Sequence, residues 1–147
     1  MSGMKSIAYL MLIFVLAGCG AGKSYQVEVK NQTNGPVTLW LTKDGPPKED
    51  GWYSPEEIDA MPENARPAYD LAIVPPGKTG FTGKVAGEFP KGTAAVLRVY
   101  EGSKELFHIV EDAKAGRQNR SDHVLKPGMN RLSVVEHSGR LVVEPSK

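Results

Sequence analysis

The chain has 147 residues, a formal net charge of +1, and 24% charged and 40% apolar residues. That length allows one folded domain rather than two, and the balanced, interspersed charge excludes both a disordered chain and the strong positive field of a nucleic-acid-binding protein. The single cysteine excludes an internal disulfide, so the domain must rest on its hydrophobic core, while 16 glycines and 11 prolines supply turns for many short strands.

At the N-terminus, Lys5 precedes ten apolar residues, 7–16, that read IAYLMLIFVL. As a helix this run is roughly 15 Å long, against a hydrocarbon core of about 30 Å. It is short for a membrane span and fits the apolar region of an export signal. Leu16, Ala17, Gly18 and Cys19 follow at once. The order of positive charge, apolar run, small pair and cysteine resembles the signal peptide and lipobox of bacterial lipoproteins, a likeness confined to about the first twenty residues. The resemblance implies cleavage before Cys19, diacylglycerol on its sulfur, and a fatty acyl group such as palmitate on the new N-terminus. Two or three acyl chains hold a protein to a bilayer firmly where one does not. Residues 1–18 are therefore expected to be a signal peptide, 19–23 a lipidated tether, and 24–147 a single domain. Gly20 follows the cysteine where aspartate would signal inner-membrane retention. The expected location is the cell envelope: the outer membrane of a Gram-negative cell, facing the periplasm or the surface, or otherwise the outer face of the plasma membrane. The sequence AGCGAGKS, residues 17–24, also satisfies a loose phosphate-loop pattern. Such a loop needs a buried strand before it and a helix after it, whereas an export signal precedes this one and a strand pattern follows.

From Ser24 the hydrophobic period is two. Tyr25, Val27 and Val29 alternate with polar residues, NQTNG at 31–35 reads as a turn, and Val37, Leu39 and Leu41 alternate with Thr38, Trp40 and Thr42. These two strands are expected to form a hairpin. Residues 69–74 form a candidate strand stopped by Pro75-Pro76-Gly77, and 79–85 form another. Ala95, Leu97 and Val99 share one face of a strand at 94–100, which a turn at Glu101-Gly102-Ser103 leads into a further strand at 105–110. Residues 112–121 read as a polar, mobile connection. Val124 and Leu125 precede a turn at Lys126-Pro127-Gly128, and strands at 131–136 and 140–143 are joined by the tight turn His137-Ser138-Gly139. The expected fold is all-β, an antiparallel β-sandwich of immunoglobulin-like or transthyretin-like architecture with about eight strands.

One segment breaks the pattern. Residues 44–67 are too long for a structureless connection inside a compact domain. Ser54 as N-cap, Pro55 at the first helical position and Glu57 three residues after the cap predict a short helix ending by Met61, with Ile58 and Met61 pressed onto the sheet.

Catalytic constellations are missing from the sequence. His108, His123 and His137 lie 15 and 14 residues apart, without metal-binding spacing. The one thiol is accounted for by lipidation, and no serine has the flanks of an activated nucleophile. Glu56 and Glu57 suit a helix N-terminus better than paired acid–base work. The chain is therefore expected to be no enzyme and to carry no cofactor and no metal. Trp40, Trp52 and Tyr53 are the candidate ligand or partner contacts. In the competing reading Trp52 and Tyr53 pack the loop onto the outer face of Trp40.

The expected function is that of a lipid-anchored, non-catalytic envelope protein whose β-sandwich has a binding or structural accessory role. The alternative is an extracytoplasmic module that binds a solute, metal or carbohydrate through the 44–67 loop. A weaker one is an accessory or inhibitor of an enzyme. Expected partners are the membrane, through Cys19, and an envelope protein or small-molecule ligand; nucleic acid is not among them, and the chain is expected to be monomeric. A concave pocket lined by Trp40, Trp52 and Tyr53 would favour ligand binding, and a flat surface would favour protein contact.

Overall fold

The computed structural model describes residues 22–45 and 52–147. The signal segment, the lipobox with Cys19 and most of the tether lie outside them, as does the 46–51 part of the long loop.

The domain is the all-β sandwich expected, with nine strands, two α-helices and one 3-10 turn (Glu63–Ala65) among the described residues. The strands are β1 (Ser24–Asn31), β2 (Val37–Asp44), β3 (Ala72–Val74), β4 (Thr79–Phe81), β5 (Val85–Ala86), β6 (Ala94–Glu101), β7 (Arg120–Val124), β8 (Gly128–His137) and β9 (Arg140–Pro145); α1 spans Pro55–Asp59 and α2 Leu106–Lys114. One sheet runs β4-β1-β8-β9, with β5 also on β1, and the other runs β3-β2-β6-β7. All pairings are antiparallel except β1 with β8.

Between the sheets lies a core of inward residues from alternating positions: Val27 and Val29 of β1, Leu39 of β2, Leu97 and Val99 of β6, Val134 of β8. The period-two pattern therefore does what it predicted for burial. It does not decide pairing. β1 and β2 form no hairpin; β1 pairs with β4, β5 and β8, and β2 with β3 and β6. The 32–36 segment is an arch that carries the chain from one sheet to the other. Asn31, fully buried, shapes it: Nδ2 donates to the Gly35 and Val74 main-chain oxygens (2.8 and 2.9 Å), and Oδ1 accepts from Thr33 N and Thr33 Oγ1 (2.9 and 2.8 Å). Its amide thereby satisfies main-chain groups that a hairpin ladder would have satisfied.

The expected strand at 105–110 is helix α2. Leu106 and Val110 share a face under either period, but Ile109 joins them only in a helix, and all three are buried. The connection at 112–121 is correspondingly shorter, since α2 runs to Lys114 and β7 begins at Arg120. The strand expected at 79–85 is two strands, β4 and β5. At the break, Thr82 bonds to Val27 twice, its Oγ1 accepting from Val27 N (3.0 Å) and its own N donating to Val27 O (2.9 Å). The strand expected at 69–74 shrinks to β3. The final hairpin is as expected: Ser138 and Gly139 have φ of 52° and 75°, the positive pair a two-residue turn requires.

The helices cover the outer face of the β3-β2-β6-β7 sheet. Trp40 and Tyr100 from that face, Ile58 of α1, and Leu106, Ile109 and Val110 of α2 form a second core. β2 and β6 are thus buried on both faces. Along one side the sandwich closes, because Asn119 beside β7 donates to Gly139 O (3.0 Å) and accepts from Leu141 N (3.4 Å) of the other sheet.

Candidate ligand-binding cleft

On the opposite side the sheets part. β3 pairs with β2 only from Val37 to Leu39, opposite Val74 to Ala72. The chain before β3 leaves that line, and a cleft of about 300 Å³ opens beside Leu39, Trp40 and Leu41. Pro67, Ala68, Tyr69 and Asp70 form one wall; Phe81, Thr82, Gly83 and Val85, around the β4–β5 break, form the other. Tyr53 and Ile58 complete it from the helix side, and Trp52 from the core side. The volume is at the low end of pockets that enclose small molecules, and the mainly apolar, aromatic lining with a few polar groups is typical of them.

All three aromatics singled out from the sequence line this cleft, but they arrive by different routes. Trp40, on the outer face of β2, is 2% exposed; its Nε1 donates to Tyr53 O (2.9 Å), and its ring lies 5.3 Å from that of Tyr69, tilted by 30°. Tyr53 packs against the second core beside it. Trp52 does not lie on the outer face of Trp40. It turns into the inter-sheet core, edge-on to Tyr25 and Phe89 at 5.4 and 5.0 Å, with Nε1 donating to Ala86 O (3.0 Å). Two backbone features allow this. Trp52 itself has φ of 63°, which aims consecutive side chains into different cores, and Gly87 leaves room for the indole, since a Cβ there would sit 2.9 Å from Trp52 Nε1.

Helix α1 holds the floor in place. The capping box read from the sequence is complete: Ser54 Oγ accepts from Glu57 N (3.1 Å), and Glu57 Oε2 accepts from Ser54 N (2.7 Å). Glu57 Oε1 also meets Lys43 Nζ at 2.6 Å, and Arg98 reaches Glu56 at 3.1 Å, so two ion pairs tie the helix to β2 and β6. Burial pushes the Glu57 carboxyl up, but Lys43 and the Ser54 bonds outweigh it and hold it below the ordinary glutamate value. Ile58 is buried, whereas Met61 is only partly so.

Among the described residues, Asp70 is the one charged member of the lining, which includes no histidine, cysteine, lysine or arginine. Asp70, Tyr69 and Phe81 carry no site signal in the sequence, since they fall on expected strand positions; Tyr69 and Phe81 are 46% and 56% exposed at the mouth of the cleft. The histidines are scattered over α2, β7 and the end of β8. Burial lowers His123, partly offset by a bond with the Val143 main chain. Among the described residues no group of three or more metal-ligating side chains converges, and no helix is long and apolar enough to cross a membrane. On the far side of the second core, Tyr100 lines a hollow of about 40 Å³. Its hydroxyl is buried beside Arg98; burial pushes it up to about 12, with Arg98 pulling the other way.

No family model, no curated protein and no solved structure matches this chain.

Proposed function

We propose that this is a lipid-anchored, non-catalytic protein of the bacterial envelope whose sandwich captures a ligand in the side cleft. The anchor rests on the Leu16-Ala17-Gly18-Cys19 motif. The binding role rests on one observation: Trp40, Trp52 and Tyr53 line a single concave, mainly apolar site instead of a flat face. Among the described residues the lining sets one carboxylate among apolar and aromatic side chains, a composition suited to capturing an apolar ligand.

Phe81 tests the cleft without disturbing the fold. It is 56% exposed, so Phe81→Ala should leave the melting temperature near wild type. The same variant should weaken binding of a neutral apolar dye such as Nile red, read by its fluorescence, by about 1 kcal/mol or more, as an aromatic contact at a binding surface does. Equal dye binding by both proteins would remove the cleft as the capture site.

A further inference from the structure

The mouth of the cleft carries a carboxylate and two accessible rings. Tyr69 and Asp70 are consecutive on the wall that precedes β3, and Phe81 stands on the opposite wall at the end of β4. Trp40 backs the Tyr69 ring, 5.3 Å away and tilted by 30°, and so holds it along its wall. Asp70 differs from the carboxylates of the neighbouring helix α1. Glu56 is paired with Arg98, Glu57 with Lys43, and Asp59 with Arg66 and Lys114. Asp70 enters no ion pair or hydrogen bond among the described residues. Arg66, the nearest cation along the chain, is turned to the Asp59 carboxylate and to the Asp59 and Met61 main-chain oxygens. Lys84 lies between Gly83 and Val85 of the opposite wall, but it is exposed and does not line the cleft. Among the described residues, then, a negative charge without a protein counter-charge sits beside an apolar, aromatic hollow.

We infer that the cleft's ligand is an organic cation with an apolar body: a substituted ammonium whose hydrocarbon part enters the cleft and whose charge stays at the mouth, with Tyr69, Phe81 and Asp70. This rests on the cleft being the binding site and names the class of ligand. The face of an aromatic ring is negative and attracts a cation, most strongly one that gives up its water easily, as a substituted ammonium does. The carboxylate adds a Coulomb attraction that is stronger beside apolar walls than in open water. An anion would meet like charge at Asp70 and the negative ring faces. A neutral ligand would gain from the apolar lining alone and make no use of Asp70. The cleft's volume of about 300 Å³ limits the body to a small hydrocarbon group.

The test titrates the isotope-labelled protein, purified from its envelope in detergent, with benzyltrimethylammonium and with neopentylbenzene, which has carbon in place of the charged nitrogen. The Tyr69, Asp70 and Phe81 amide resonances should move with the cation. Asp70→Asn should weaken binding of the cation about fivefold and of the neutral probe less than about twofold. Phe81→Leu keeps apolar bulk and removes the ring face, so it should weaken the cation about threefold with little effect on the neutral probe. Both positions are exposed, and melting temperatures should stay near wild type. Detergent takes up the neutral probe equally in every sample, so the comparison between variants is unaffected. Unmoved resonances with the cation, or equal losses for the two probes in either variant, would overturn the inference. If Nile red still binds in a Phe81-dependent manner while the cation fails, the ligand is not a cation and the cleft stands. If neither binds, both fall.

Discussion

Trp52 shows how much one side chain carries. It is 8% exposed and completes a trio of edge-on rings with Tyr25 and Phe89, and it also walls the cleft. Replacing it with alanine would empty an aromatic-sized volume at one end of the inter-sheet core and leave the Ala86 carbonyl without its donor. Trp52→Ala should therefore lower unfolding free energy by about 3–5 kcal/mol in denaturant titration. A change under 1 kcal/mol would mean that Trp52 is a surface contact. Trp40 is buried by Tyr69 stacked on it and by the helices behind it. Its part in capture is to shape the wall, while Tyr69 and Phe81 are the exposed rings.

At the scale of elements, α1 is five residues long, too short to persist alone. Its cap, Ile58 and its ion pairs to β2 and β6 hold it. Ser54→Ala removes one of the two capping-box bonds and should cost about 1 kcal/mol. Faster amide exchange confined to α1 and its flanks, with the inter-sheet strands unchanged, is the expected signature. The same helix makes the protein sensitive to acid. Glu57 is held below the ordinary glutamate value, so its contribution is complete above the unfolded-state pKa and is lost as pH falls through the lower, folded one. A carbon-13 titration of the Glu57 carboxyl should give a midpoint below that of glutamate in an unfolded peptide, and the Ser54 amide should shift with it. A midpoint at or above the peptide value would show that the Lys43 pair does not form in solution.

For the molecule as a whole, one side of the sandwich is closed by Asn119 and the other is left open where β3 ends and β4 gives way to β5. The tether would leave from Ser24, which pairs with Ala86, next to the cleft residue Val85. A lipid on Cys19, five residues earlier, would then hold the cleft within roughly 18 Å of the bilayer surface. Cys19→Ala should leave a precursor that takes up no labelled palmitate, and mass spectrometry of the native protein should find lipid on Cys19 and no peptide from residues 1–18. An unmodified Cys19 thiol in mature protein would sink the anchor and the envelope location together. Fractionation that finds the acylated protein only in the inner membrane of a Gram-negative host would remove the outer-membrane assignment.

Local periodicity and local chemistry were readable from the chain alone. Alternation at Tyr25, Val27 and Val29, and at Val37 and Leu39, marked the residues that fill the core, because side-chain direction along a strand is a property of the backbone itself. Ser54, Pro55 and Glu57 marked a helix start, and Ser138-Gly139 a hairpin, because caps and tight turns are closed by residues next to one another. Pairing was another matter. Alternation says which face is buried and nothing about the neighbouring strand, so nothing local distinguishes the arch at Asn31 from a hairpin turn; it is set by Val74, 43 residues away, whose carbonyl accepts from the Asn31 amide. Helix α2 is legible at Ile109, the third apolar position, which a helix buries with Leu106 and Val110 and a strand would not. The cleft was out of reach. Trp40, Trp52 and Tyr53 can be named from the sequence as aromatics in search of a role, but Asp70, Phe81 and Val85 join them only because β3 starts at Ala72 and the chain before it leaves β2, and that is decided by contacts between segments far apart in the chain.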